Sequence, residues 1–245
     1  MSFSSDVKDE LYEVYPKARH CQIAETAGIA SILARMEPKS GIILIETENI
    51  KILNKFFTLL KQTIKIDRDG DTKLTPSDGR KLRELLKTDG DDFTVTKEVI
   101  IEQDCCRRSF LRGVFLAAGS VSDPNKSYHF EIAAHTMQQA EEVQRLIDSY
   151  ECDAHIVERK GHYVVYLKEG SQIVTMLGII GAPKALMDFE NIRILKEMRE
   201  NVNRQVNCET SNIRKSVSAA VRQIEDIRLL QDSGHFSELP ETLKE

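Results

Sequence analysis

The chain has 245 residues, 41% of them hydrophobic and 30% charged, with 34 Lys and Arg set against 39 Asp and Glu for a formal net charge of −5. That length suits one large or two small globular domains, and the acidic balance excludes a surface that is basic throughout. No apolar run reaches the ~18 residues of a membrane span, and Met1 to Leu11 lacks the basic and apolar segments of a signal peptide, so a cytoplasmic protein without a membrane partner is expected.

From the start of the chain, Ser4 or Ser5 with Asp6 reads as a helix cap followed by a first-turn acid. His20 to Met36 reads as a helix in which Ala24 and Gly28, and again Ala27 and Ser31, stand four apart and leave one face nearly bare. Gly41 to Thr47 reads as a strand, Ile50 to Thr63 as a helix and Ile64 to Ile66 as a strand. Asp67 to Asp71 resembles the start of a calcium loop. An EF-hand needs glycine at its sixth position and glutamate at its twelfth, where Thr72 and Asp78 stand, so a solvated turn is expected. Asp89 to Asp92 reads the same way, and Ser77 to Lys87 between them reads as a helix with Leu82, Leu85 and Leu86 inward.

Cys105 to Pro124 opens a second, similar run. Ser109, Gly113 and Ala117 recur every fourth position on a predicted helix, flanked by Phe110, Leu111, Val114, Phe115 and Leu116. Tyr128 to Thr136 then reads as a strand, Met137 to Tyr150 as a helix, and Ala154 to Lys168 as a hairpin turning at Lys160-Gly161. The segment Leu177 to Pro183 reads as a turn between elements, without the Gly-x-Gly spacing of a phosphate loop. Further on, Ile213, Val217, Ala220, Ile224 and Ile227 form a packing seam, with Ser211 or Asn212 as a cap and Gly234 as a stop. The expected fold is α+β: two helix-strand-helix-strand repeats about a pseudo-two-fold axis, the two bare helices packed at the centre through Ala24, Gly28, Ser109, Gly113 and Ala117, followed by C-terminal helices.

Five cysteines, an odd number, argue for reduced thiols. A zinc site from His20, Cys21, Cys105 and Cys106 is the alternative, since these residues precede the two equivalent helices; the absence of a Cys-x-x-Cys or His-x-x-x-His spacing favours buried reduced cysteine and no metal.

Leu111 to Gly119 resembles the helix that names the LAGLIDADG homing endonucleases. In that family the acid just before the final glycine binds a divalent metal. Here that position is Ala118, the acid two places earlier is Leu116, and threading Thr26 to Ile29 onto the motif puts Leu33 at the second metal position. A methyl or isobutyl group offers no oxygen to a hard cation, so no catalytic residue and no cofactor are expected. A surviving endonuclease would have to use Asp104 or Asp123 instead.

The run Gly181 to Glu190, with Glu197 to Asn201, Asn203-Arg204, Val206 to Glu209, Ser211-Asn212 and Gln223 to Ile227, is similar to the hallmark of the WhiA family of bacterial regulators, as is His20 to Glu25. The resemblance implies a degenerate LAGLIDADG domain joined to a C-terminal helix-turn-helix, acting as a nucleoid-associated DNA-binding transcription regulator in cell division, chromosome segregation or sporulation. The family's helix-turn-helix begins near Leu239, so in this chain, whose last residue is Glu245, it is expected to be missing. The expected division is 1–96 and 97–190 for the two halves, 191–233 for linker helices and 234–245 for a tail. Partners would be double-stranded DNA, mainly through the missing module, and a second regulator protein. Residual DNA contacts are placed at Arg107, Arg108, Arg112, Arg204, Arg214, Lys215 and Arg222. A protein-interaction scaffold without DNA contact is the other reading.

Overall fold

A computed structural model describes residues 2–66, 72–88, 93 and 100–243. The acidic turns expected at Asp67 to Asp71 and Asp89 to Asp92, and the division at 96/97, lie outside the described residues. Contacts divide the chain into two compact units, Met1–Arg193 and Ile194–Glu245.

Helix α1, Phe3–Tyr12, is capped by Ser2, whose hydroxyl accepts the Ser5 amide at 3.2 Å. The cap expected at Ser4 or Ser5 falls earlier because the Ser4 hydroxyl accepts the Val121 amide at 3.3 Å instead. Helix α2, Arg19–Leu33, is buried over most of its length. It stops three residues before Met36, since Ala34–Met36 pairs as strand β1 antiparallel to β2, Ile43–Ile45. Helix α3, Ile50–Ile64, starts on the Asn49 carboxamide and ends with Lys65 in the left-handed region at φ +57°. The expected strand Ile64 to Ile66 is therefore the end of a helix. The third strand of this sheet is instead β3, Lys73–Leu74, in the order β1-β2-β3. Thr75 and Pro76 open α4, Pro76–Leu86.

The second half begins with α5, Asp104–Ala118, and passes directly into β4, Gly119–Val121. Strand β5 is Phe130–Ala134 and α6 is Met137–Asp148, capped by Thr136. Strands β6, His155–Arg159, and β7, His162–Leu167, form the hairpin, with Lys160 and Gly161 both at positive φ as a two-residue primed turn requires. The sheet is antiparallel in the order β4-β5-β7-β6. Next comes α7, Gly170–Ile180, where no helix was expected. The glycine-rich stretch is its C-cap: Gly181 sits at φ +88°, and its amide and that of Ala182 bond back to Gly178 and Leu177.

Helix α8, Pro183–Asp232, is a single element of 50 residues. Ser211 and Asn212 lie inside it and cap nothing, because no glycine or proline interrupts the stretch after Pro183. Its first turn is held by α1: the Glu10 carboxylate accepts the amides of Lys184 at 2.8 Å and Ala185 at 3.0 Å. Phe189, fully buried, closes that corner against Phe3 and Tyr128. After Gly234, at φ +78°, two short 3-10 turns follow at His235–Glu238 and Glu241–Leu243.

Candidate nucleic-acid interface

Helices α2 and α5 meet through their small residues. A Cβ on Gly28 would collide with the Phe110 carbonyl oxygen and lie 3.1 Å from the Val114 nitrogen. One on Gly113 would collide with the Glu25 carbonyl oxygen and lie 3.1 Å from the Ile29 nitrogen. Each contact is the image of the other under an offset of 85 positions, which is the signature of a two-fold relation between the helices. Ala24 is wholly buried at this contact region's N-terminal side, Ser109 is buried with its hydroxyl bonded to the Cys105 carbonyl, and Ala117 is half-buried against the core.

Leu33 and Ala118 are the last residues of the two helices, five positions beyond each glycine, and so occupy equivalent places. Leu33 is buried and Ala118 half-buried, and neither carries an oxygen ligand. The substitute acids are held elsewhere. Asp104 opens α5 at its other end, bonded to Arg108 at 2.8 Å and to the Tyr150 hydroxyl at 2.9 Å. Asp123 accepts the Asn125 amide at 2.9 Å in the turn after β4.

Between the two ends lies a buried ionic triad that the sequence did not announce. Glu25 on α2 is wholly buried and takes Arg112 of α5 on one oxygen, Nε at 3.0 Å and Nη2 at 2.9 Å, with Lys55 of α3 3.1 Å from the other. Arg112 also donates to the Ile180 carbonyl at 3.2 Å and Lys55 to the Leu11 carbonyl at 2.8 Å. Burial pushes the Lys55 amine below its ordinary value, and Glu25 works against that shift. Arg112 is therefore no DNA contact: its guanidinium is spent neutralising a buried carboxylate.

The other expected contacts remain at the surface. Arg107 is half-buried, and Arg108 is exposed and paired with Asp104. Arg204, Arg214, Lys215 and Arg222 are all exposed on α8. At 3.6 residues per turn Arg204, Lys215 and Arg222 fall within about 20° of one another, opposite Ile213, Val217, Ala220, Ile224 and Ile227, with Arg214 about 80° away. Arg204 also bonds the Asn201 side chain at 2.8 Å.

The sheets add residues that sequence reasoning missed. Arg35 and Lys73 flank Leu44 across β1, β2 and β3. Arg35 comes two residues after the helix end at Leu33, and it helps burial hold His135 below its ordinary value, as does His162, whose ring centroid is 5.5 Å from that of His135. On the second sheet Glu131, Tyr166 and His155 form a cross-strand row; Glu131 already binds His129 at 3.0 Å and lies 3.6 Å from Arg159. That face is mixed in charge. On the first sheet Arg35 lies 3.9 Å from the Glu46 carboxylate, so that face too carries both signs of charge.

Comparison with known proteins adds to this geometry. The WhiA LAGLIDADG-like domain family matches residues 107–199, and the WhiA C-terminal HTH domain family matches residues 202–245. The probable cell division protein WhiA of Lachnoclostridium phytofermentans is 44% identical over 268 residues, covering 100% of this chain and 86% of that protein. Its namesake in Alkaliphilus oremlandii is 39% identical over 270 residues, covering 100% and 84%. The crystal structure of full-length DUF199/WhiA from Thermatoga maritima matches with a TM-score of 0.67 at 24% identity, covering 99% of this chain and 84% of that one, a likeness of fold. That of the N-terminal LAGLIDADG domain of DUF199/WhiA gives 0.55 at 21% identity, covering 74% and 92%.

These matches correct one expectation. The helix-turn-helix is not missing, since its family matches residues 202–245, and DNA contact through it is not lost. The matched segment starts more than thirty residues before Leu239, where the stretch from Val202 carries the packing seam of a long helix and so resembles a linker. Arg204, Arg214, Lys215 and Arg222 all fall inside the matched segment. Among the described residues no helix is long and apolar enough to cross a membrane.

Proposed function

Because the chain belongs to the WhiA family, we propose that it is a DNA-binding regulator of cell division that works at the nucleoid and does not cut DNA. The observation that carries the reading is the pairing of a helix-turn-helix match over 202–245 with two apolar residues, Leu33 and Ala118, at the ends of the central helices. The C-terminal segment supplies base reading, with Arg204, Lys215 and Arg222 as phosphate contacts along one face, while the LAGLIDADG-like body supports it and offers Arg35 and Lys73 to the backbone. Arg107 and Arg108 on the body, and Arg214 on α8, add further cationic side chains that phosphate could meet.

Mobility-shift titrations of the full chain against a promoter duplex and a scrambled one, at two salt concentrations, test this. Preference for the promoter is expected, with affinity falling as salt rises. Replacing Arg204, Lys215 and Arg222 by Ala should flatten the salt slope by about 0.9 for each lost contact. Equal, salt-insensitive binding to both duplexes would favour an interaction scaffold. Supercoiled plasmid incubated with magnesium or manganese should stay intact, and nicking that vanishes on Asp123→Ala would restore the nuclease.

A further inference from the structure

At the end of the α2–α5 pair opposite Leu33 and Ala118, the second and third residues of each helix converge: His20 and Cys21 from one, Cys105 and Cys106 from the other. Under the same offset of 85 that relates the two glycines, His20 answers to Cys105 and Cys21 to Cys106, so the cluster sits astride the pseudo-two-fold axis. His20 Nδ1 lies 3.1 Å from Cys106 Sγ, 3.3 Å from Cys21 Sγ and 3.9 Å from Cys105 Sγ, and all four ligand atoms are within 4.8 Å of one another. A tetrahedron with Zn–S of about 2.3 Å and Zn–N of about 2.0 Å has edges of about 3.5 to 3.8 Å. The three Nδ1–Sγ distances, 3.1 to 3.9 Å, bracket the N–S edge, and no two ligand atoms are more than 4.8 Å apart. The objection from spacing, that no Cys-x-x-Cys is present, falls away because two helix starts, rather than one loop, bring the ligands together.

We propose that His20, Cys21, Cys105 and Cys106 bind one zinc ion as a closed structural site that ties the start of α2 to the start of α5. Three thiols and one imidazole complete a tetrahedron and leave no position for water, so the site is structural rather than catalytic. On binding, Zn²⁺ forms three Zn–S bonds and one Zn–Nδ1 bond, three thiol protons leave to solvent, and the neutral imidazole donates its lone pair; the complex carries one net negative charge. Two helix N-termini point at it and favour that charge. The sulfur-rich set selects a borderline or soft cation over magnesium or calcium. Cys152 and Cys208 lie outside the cluster and provide internal controls.

The full chain, purified under reducing conditions without chelator, should contain one zinc per chain by elemental analysis. Cobalt added to the metal-free protein should give the intense visible bands of a tetrahedral thiolate site at one equivalent. Cys152→Ser and Cys208→Ser should keep the metal. Cys21→Ser and Cys106→Ser should lose it, and because these are buried, exposed Cys105→Ser and His20→Ala should be measured beside them, each checked for folding by circular dichroism. Chelation should lower the melting midpoint of the parent chain and leave that of Cys105→Ser unmoved. Absence of stoichiometric zinc after reductive loading, retention of zinc by all four ligand variants, an iron chromophore in its place, or a disulfide joining Cys21 to Cys105 or Cys106 would each overturn the assignment.

Discussion

The two halves of the body share one contact and differ in almost everything around it. Gly28 and Gly113 meet the opposite backbone in the same way, yet the residues whose carbonyls they touch are Phe110 in one half and Glu25 in the other. At equivalent places stand a wholly buried carboxylate and a buried phenyl ring. Among the described residues the first half has a sheet of three very short strands, and the second a sheet of four. Symmetry is strictest where two helix backbones approach within the width of a missing Cβ, and the same offset carries through both helix bounds into β1 and β4. Side chains a few ångströms away are free to diverge, one half acquiring an ionic triad where the other keeps an apolar core.

The sharpest way to break this comparison is at the divergent pair. Glu25→Gln leaves Arg112 and Lys55 buried without their counter-charge and should cost about 3 to 5 kcal/mol. Phe110→Ala empties a well-packed site and should cost about 3 to 5 kcal/mol for a different reason. The added variant Arg112→Met/Lys55→Met separates the two: it should rescue Glu25→Gln in urea unfolding and do nothing for Phe110→Ala. No rescue would mean that the triad is not an electrostatic unit.

A smaller effect is expected at the shared contact. Gly28→Ala and Gly113→Ala should each cost about 1 to 3 kcal/mol through overpacking, and by the same amount, because each new methyl meets a backbone carbonyl rather than a flexible side chain. Matched urea midpoints would support the two-fold relation, and a large inequality would refute it.

The smallest concerns one edge of the second half. The Tyr150 hydroxyl is the main cause of a lowered Asp104 carboxyl, ahead of Arg108, while burial and then Asp104 push Tyr150 up to about 12. A carboxyl held below its ordinary value near 3.8 stabilises the fold fully above that value and loses the contribution as pH falls through the lowered one. Tyr150→Phe should therefore cost about 0.2 to 1 kcal/mol at neutral pH, the range for solvent-exposed charged contacts. The difference from the parent should vanish in strong acid; a gap that persists there would point to packing instead.

The halves also differed in how far they could be read. The β6–β7 hairpin was legible because its residues alternate and Lys160-Gly161 supplies the turn. Strand β1 was not, since Ala34-Arg35-Met36 continues a helical pattern and becomes a strand only by pairing with Ile43–Ile45. Helix α7 was hidden by its own cap: Gly178 and Gly181 read as a turn, while Ile173, Met176 and Ile180 needed the core to show which way they face. Arg112 was misread alongside Arg107 and Arg108 because its direction is fixed by Glu25, 87 positions away. The small residues of α5 were visible at once, and the family was legible in the run from Gly181 to Ile227. The ionic triad was not, because no local pattern distinguishes a buried lysine at position 55 from its solvated neighbours.

The Glu10 clamp on the first turn of α8 joins residues 174 and 175 positions apart. On a ribosome adding ~5 to 20 residues per second, Glu10 would wait about 9 to 35 seconds before the amides of Lys184 and Ala185 exist. Throughout that interval α1 has its N-terminal cap but not this clamp, and until residue 118 is made the bare face of α2 has no α5 to cover it. The clamp on α1 is thus among the last contacts of the body to form. Nascent chains arrested before Pro183 should present α1 to proteases that cannot reach it in the finished protein.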